Sequence, residues 1–391
     1  MGNKIGLENL NRKLKRVYAN QYLNSAKPTQ KTGENLTALW AAPRLHTNVG
    51  DRALTIGSVL GIGPEKTFLL SRDDYPISSE LGAELRIDKA IELSSGATFK
   101  QAFTSILDIA PACNSLFMIG ADMMDGRYNP EVSVRKWRIA EWFTKNVGPA
   151  SVFSMSWNTD PHPLSVSAIK RSSSAGVKIF TRDALSQQRL ADIGVESTLT
   201  SDVSFVATTV REPNAEIQDW LNSEKQTVII TVSDWVVRND VILDLLQRSL
   251  LSISDKFQFL FVPMVSDGQS RDLEACKKLS DLVGGWVLPE LPNPDELRWI
   301  AKRSAFGISA RMHCCLLGFA AGMPSIGIEY QGKFKGTFSM LDQANFAIEP
   351  AEFAEVFPGA FQEISENYQG LRDAIEIQIP AISEIAKSTF K

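Results

Sequence analysis

The stretch AFGISARMHCCLLGFAAGMPSIGI, residues 305–328, decides the fold. Two apolar runs of strand length, Ala305 to Ile308 and Ser325 to Ile328, flank an apolar helical segment, Cys314 to Ala321, and Gly322 and Pro324 turn the chain into the second run. Strand, helix and strand in so short a space form the unit of a parallel sheet. Arg311 and His313, the latter one of only three histidines, fall where the first strand gives way to the helix. In α/β proteins that carboxyl end is where ligands are handled. A cation beside the imidazole suits a neutral histidine that takes up or passes on a proton near neutral pH.

The same alternation extends in both directions. Ala38 to Ala42, Thr67 to Leu70, Ala90 to Leu93, Leu116 to Ile119, Ser151 to Ser154 and Val177 to Phe180 read as one set of strands. Thr227 to Val232, Phe257 to Val262, Trp286 to Leu288, Ala305 to Ile308 and Ser325 to Ile328 read as a second, with helices such as Val241 to Leu251 and Leu273 to Leu282 between them. The polar segment Arg211 to Lys225 reads as the junction. The expected architecture is α/β, with Rossmann-like domains over residues 36–210 and 226–345 facing a cleft, and a C-terminal helical segment over 346–391. Residues 1–35 hold a basic amphipathic pattern and a linker: Leu7, Leu10, Leu14, Val17 and Tyr18 recur at helical spacing among Arg12, Lys13, Lys15 and Arg16. Such a helix packs on its own domain or rests on an anionic membrane surface.

Composition narrows the function. The 391 residues are 44% hydrophobic and 22% charged with a net charge of −4, a globular balance without the basic field that nucleic-acid binding needs. No nucleic-acid partner is expected. Cys113, Cys276, Cys314 and Cys315 form no CxxC pair and read as small buried hydrophobes in a reducing compartment. There is no secretory signal pattern, and the apolar run Cys314 to Ile328 is too short to span a bilayer. A cytoplasmic location follows, peripheral at the membrane's inner face if the basic helix engages it. Scattered histidines without HxxH or DxD spacing give no metal site.

Two further loops carry candidate chemistry. In HTNVGDRALTIGSVL, residues 46–60, a polar turn with Asn48 and Gly50 leads into a helix with Asp51 as its expected N-cap; the turn's amides could bind an anion or a sugar hydroxyl. Neither GxGxxG nor a Walker A loop is present. In IFTRDALSQQRLADIG, residues 179–194, Arg182 leaves a strand end. It either points into the cleft, where its fork can hold a carboxylate or phosphate, or pairs with Asp183 on the surface. Trp137, Trp142, Trp157 and Trp235 stack on sugars or, more ordinarily, fill core and rim.

NVGDRAL, TRDALSQQRLADIG followed by SDVSF, and the late stretch SARMHCCLLGFAAGMPSIGIEYQGKFKGTF together resemble, in order from about residue 46 to 340, the successive motifs of the polysaccharide pyruvyl transferase family. Asn48, Gly50 and Asp51 match the first motif, Arg182, Asp183, Ser186, Leu190 and Gly194 the central one, and Arg311, His313, Gly322, Pro324, Tyr330 and Lys333 the late one. Where the family carries a doubled glycine after its fourth strand, MIGADMMDGRYNP has Ala121 and Asp122. The turn NTDPHPLS, residues 158–165, keeps only Pro161 of the usual pattern. The resemblance implies a fold similar to GT-B glycosyltransferases. It implies transfer of pyruvate from phosphoenolpyruvate to two hydroxyls of a sugar, possibly lipid-linked, forming a ketal and releasing phosphate, with no cofactor. Arg182 and Arg311 would grip the donor from opposite lips of the cleft, and His313 would move a proton or steady the phosphate. Lys333 would add charge, while Asn48, Gly50, Asp51, Asp122 and Tyr330 would bind substrate. The alternatives are a GT-B nucleotide-sugar glycosyltransferase and a non-catalytic glycan-binding protein.

Overall fold

The structure is a computed structural model that describes residues 32–71, 74–89, 99–267, 272–329 and 332–391. The expected N-terminal helix, the expected strand Ala90 to Leu93 and Tyr330 lie outside the described residues.

Among those described, the first sheet holds β1 (Leu36–Trp40), β2 (Thr67–Ser71), β3 (Arg86–Lys89), β4 (Cys113–Ala121), β5 (Ala150–Met155), β6 (Lys178–Thr181) and β7 (Thr198–Leu199). Its order is β3-β2-β1-β4-β5-β6-β7, every pair parallel. The second sheet holds β8 (Gln226–Thr231), β9 (Phe257–Phe261), β10 (Trp286–Val287), β11 (Phe306–Ser309), β12 (Ser325–Ile328) and β13 (Ala347–Ile348), in the order β10-β9-β8-β11-β12-β13, again parallel. The opening βαβ reading places the parallel β11 and β12 side by side, with Ile308 opposite Ile326. Both sheets are doubly wound, and each reverses direction once, between β1 and β4 and between β8 and β11. Ligands bind at such switch points because the loops leaving the two strands diverge there and open a crevice.

Five helices position the site: α1 (Val49–Ile62), α2 (Asp272–Val283), α3 (Pro294–Lys302), α4 (Met312–Ala320) and α5 (Phe353–Lys387). α1 is buried on all sides from Val49 to Val59. Gly57 explains how: a Cβ there would overlap the Val203 carbonyl, so only glycine lets the 3-10 turn Val203–Phe205 lie against the helix. α4 is equally apolar and sits between the second sheet and its neighbours, with Leu316, Leu317 and Phe319 fully buried. The chain ends by crossing back from the second half to the first. Ser201 Oγ donates to the Ile382 carbonyl of α5, and the Phe390 ring packs at 5.5 Å from both Phe117 and Phe153. The last strand, β13, lies beyond the boundary expected at residue 345, so the second sheet reaches further along the chain.

At the carboxyl end of β4, Ala121 adopts φ 48°, a left-handed conformation that costs an L-residue about 1–2 kcal/mol and glycine almost nothing. Ala121→Gly should therefore raise the urea midpoint, with a gain of about 0.5–1 kcal/mol once the more flexible unfolded chain is allowed for. An unchanged or lower midpoint would mean that the Ala121 methyl makes packing contacts worth more than the strain.

Candidate active site

The two switch points face each other. From the first half come the loop after β1, which opens α1, and Asp122, which follows β4. From the second come Arg311 and His313, between β11 and α4. Asn48 begins α1: its Oδ1 accepts from the Gly50 and Asp51 amides at 2.9 and 3.3 Å. The N-cap is thus Asn48 rather than Asp51, and two amides expected to bind a ligand are satisfied within the chain. Asp51 instead accepts from the Arg44 amide at 3.0 Å and sits 3.8 Å from the Arg44 guanidinium. Asn48 also bridges to Val265 of the second half, tying the two loops together.

Gly50 carries the closest approach. A Cβ at this position would overlap the His313 ring, so the imidazole lies directly on the backbone of the first turn of α1. On its other side, His313 Nε2 lies 3.5 Å from Asp202 Oδ2, which makes an ion pair when the ring is protonated and is long for a hydrogen bond. Asp202 is completely buried and accepts from Arg182 Nη1 at 2.9 Å and from the Ser204 amide at 2.9 Å. Burial alone would push its carboxyl up, but His313 and Arg182 together hold it below the ordinary carboxylate range.

Arg182 is therefore not on the lip of the cleft. Its side chain is 1% exposed, its Nε donates to Ser156 Oγ at 2.9 Å, and its charge is matched by Asp202 rather than by Asp183. Asp183 is also buried and caps the helix Ala184–Asp192 through the Ser186 amide at 2.7 Å. The strand-end position suggested an exposed arginine. The SDVSF segment folds over it because Gly57 lets Val203 approach α1.

Arg311 does stay near the surface, 17% exposed, in a bidentate contact with Asp272 at the start of α2: 2.6 Å from Nη2 and 3.1 Å from Nε. Asp272 is fixed in turn by the Val265 amide at 3.0 Å. The anion facing His313 is thus Asp202, while Arg311 faces Asp272. Lys333 reaches across to the first half and meets Asp122 at 2.5 Å, with Tyr128 donating to the same oxygen at 3.2 Å. Burial raises the Asp122 carboxyl, yet Lys333 brings it below the ordinary range. Asp51 goes the other way: burial raises it and outweighs Arg44 and His313. Beneath the site, Lys136 is buried, its Nζ donating to the Ile119 carbonyl at 3.1 Å, and burial pushes its ammonium down to about 8 against the opposing pull of Asp51.

Gly50, Asp51 and Asp202 thus surround His313, Asp122 meets Lys333, Arg311 lies on Asp272 two residues before His313, and Arg182 is buried behind Asp202. Asp202, Asp272, Arg44 and Lys136 were not singled out from the sequence. Asp202 alone had a signal, since it is the aspartate of the SDVSF motif. Trp137, Trp142 and Trp157 are core residues out of reach of any sugar. Among the described residues no cluster of three or more histidine, cysteine, aspartate or glutamate side chains could hold a metal, and no helix is long and apolar enough to cross a membrane.

The sequence model of the family described as polysaccharide pyruvyl transferase matches residues 48–332, well over half of the chain and the whole span from Asn48 to Gly332. No curated protein matches in sequence. Among solved structures, a glycosyltransferase from Rickettsia africae is similar at a TM-score of 0.59 and 12% identity, covering 91% of this chain and 99% of that one. A UDP-GlcNAc 2-epimerase from Methanocaldococcus jannaschii gives 0.56 and 10%, covering 88% and 92%. One from Neisseria meningitidis bound to UDP-GlcNAc gives 0.55 and 12%, covering 91% and 98%. At such identities the likeness establishes the fold, two parallel-sheet α/β domains of the GT-B type.

The geometry makes two predictions. Arg182→Met leaves the buried Asp202 carboxylate without its guanidinium and should cost about 3–5 kcal/mol in urea unfolding; a loss below about 1 kcal/mol would show that the pair is not the structural anchor. Asp122 and Asp202 titrate below their unfolded value, about 3.9, so their stabilisation is complete above that pH and is lost as pH falls through the lower folded values. Without Lys333 the half-buried Asp122 protonates more easily, so Lys333→Met should move acid unfolding, followed by circular dichroism, to higher pH.

Proposed function

Because the chain belongs to the polysaccharide pyruvyl transferase family, we propose that it transfers pyruvate from phosphoenolpyruvate to two hydroxyls of one sugar, releasing phosphate and leaving a ketal. The acceptor in this reading is a unit of a cell-surface glycan precursor, lipid-linked and met at the inner face of the membrane. The observation that carries the proposal is the set of contacts by which His313 lies on Gly50 beside Asp51 and against Asp202, Lys333 reaches Asp122 from the other half, and Arg311 is held by Asp272 two residues before His313. A donor with a carboxylate and a phosphate needs cations at two points, and a ketal-forming step needs a proton donor and a proton acceptor at the same carbon skeleton.

Arg311, whose fork is held by Asp272, lends its charge to one anionic group of the donor, together with the first-turn amides of α4 that its own side chain does not cap. Lys333 supplies the second charge. His313, backed by Asp202, gives its proton to the methylene carbon, which becomes the methyl group. The adjacent carbon turns electrophilic, and one sugar hydroxyl attacks it while Asp51 takes that hydroxyl's proton. Cleavage of the carbon–oxygen bond releases phosphate, and the second hydroxyl closes the ring. Of the two hydroxyl protons, one restores His313 and the other leaves with phosphate, so the reaction balances without a metal or redox partner. Arg182 in this scheme is a positioning residue: it fixes Asp202, and Asp202 fixes the imidazole.

Phosphoenolpyruvate should raise the melting temperature of the pure protein, whereas UDP should not; stabilisation by UDP alone would favour a nucleotide-sugar enzyme and overturn the proposal. With glycan lipids extracted from the parent cells as acceptor, His313→Gln should slow phosphate release by about 10²–10⁴-fold. Arg311→Lys should mainly raise the KM for phosphoenolpyruvate, by about tenfold, because lysine cannot keep the bidentate contact with Asp272 that fixes the charge in place.

A further inference from the structure

On the other flank of the first turn of α1 lies a second feature, a groove of about 730 Å³ between the two halves. That volume is in the range of sites that enclose small ligands. One wall is polar and already organised: Arg52 Nη1 donates to Asn293 Oδ1 at 2.8 Å, and the Tyr75 hydroxyl donates to the same oxygen at 3.1 Å. The Arg52 guanidinium also lies 5.2 Å from the centre of the Tyr75 ring. The opposite wall is formed by Trp286, Leu288, Pro289, Leu291 and Pro292. A ring with one apolar face and hydroxyls around its edge matches such a pair of walls, because the face stacks on indole and proline carbons while the edge meets fixed donors and acceptors.

Charge identifies the ligand class more sharply. The ionisable side chains lining the groove are His46, Arg52, Tyr75, Glu216, Glu290 and Glu296. Arg52 is buried and engaged with Tyr75 and Asn293, and His46 lies 3.0 Å from Asp74. Glu296 is met by Arg211 at 3.7 Å and by the Asn293 amide at 2.9 Å, so Glu216 and Glu290 are the carboxylates that add net negative charge beside one committed guanidinium. A diphosphate would be repelled from this groove, whereas a neutral polyhydroxyl loses nothing. On the other side Arg311, His313 and Lys333, each matched by a carboxylate of its own, are the cations that an incoming anion would meet.

The groove adjoins that site through two short segments. Arg52 follows Asp51 on α1, and His46 precedes the Asn48 cap. Val265, also in the lining, donates its amide to Asp272, and Leu273 follows Asp272, which holds Arg311. We infer that this groove binds uncharged sugar units of the acceptor glycan and presents the next unit to Asp51 and His313. The inference rests on the proposed pyruvyl transfer and adds the location and charge class of the acceptor.

The test uses the full chain with maltotriose, a galactose-containing neutral trisaccharide and UDP as probes. Titration at tens of millimolar should perturb the Trp286 indole signal in proton–nitrogen NMR with at least one trisaccharide and not with UDP. With the extracted glycan lipids, Trp286→Ala should raise the acceptor KM about tenfold while kcat and the KM for phosphoenolpyruvate stay within about twofold. Glu290→Arg, a change on the exposed rim that should not disturb folding, gives the control on charge. A diphosphate site would gain UDP affinity from the added cation, whereas a groove for neutral sugars should still show no UDP binding. Perturbation of Trp286 by UDP, or by none of the probes, overturns the inference. If phosphoenolpyruvate still stabilises the protein in that case, only the groove assignment falls; if it does not, the pyruvyl-transfer reading falls with it.

Discussion

The site depends on one buried carboxylate. Asp202 is shared by Arg182, 2.9 Å away in the first half of the molecule, and His313, 3.5 Å away at the start of α4 in the second. Burying an ionised carboxylate is expensive unless its charge is matched and its lone pairs are bonded, and here a guanidinium, a backbone amide and an imidazole do so together. The residues around Asp202 cannot move independently of the fold. Ser201 is bonded to α5, and Val203 lies on α1 where only Gly57 leaves room. The position of the imidazole is therefore set by the packing of α1, α5 and β6 at once.

Much of this was legible in the sequence, for reasons that differ by element. The strands at Thr67, Phe257 and Ser325 are apolar runs bounded by polar or turn residues, a pattern that survives in any single sequence. β7 and β13 have two residues each, too few to show a period, and they are strands only because a neighbour's edge is there to pair with. The helix start at residues 48–51 was found, but two cap-competent side chains stand three residues apart there; Asn48 is extended at φ −146° and takes the cap. Arg182 shows the limit most clearly. Its place at a strand end was correct, yet its exposure depends on a segment twenty residues later folding over it, and no local pattern reports that.

The cleft separates charge. Arg311, His313 and Lys333 lie together with carboxyls that balance them, while the groove beside Arg52 and Tyr75 carries an excess of glutamates. For the proposed reaction of an anionic donor with a neutral acceptor, that division would keep each substrate out of the other's place by electrostatics as well as by shape. The GT-B fold supplies the facing switch points, but the side chains decide what they hold.

The most direct measurement is a double-mutant cycle on phosphate release, comparing Asp202→Asn, His313→Gln and the pair. If the carboxylate acts by holding the imidazole, removing either disables the same unit, and the double variant should be about as slow as the slower single one. Losses that multiply would mean that Asp202 and His313 act separately, which would contradict the coupling on which this account of the site is built.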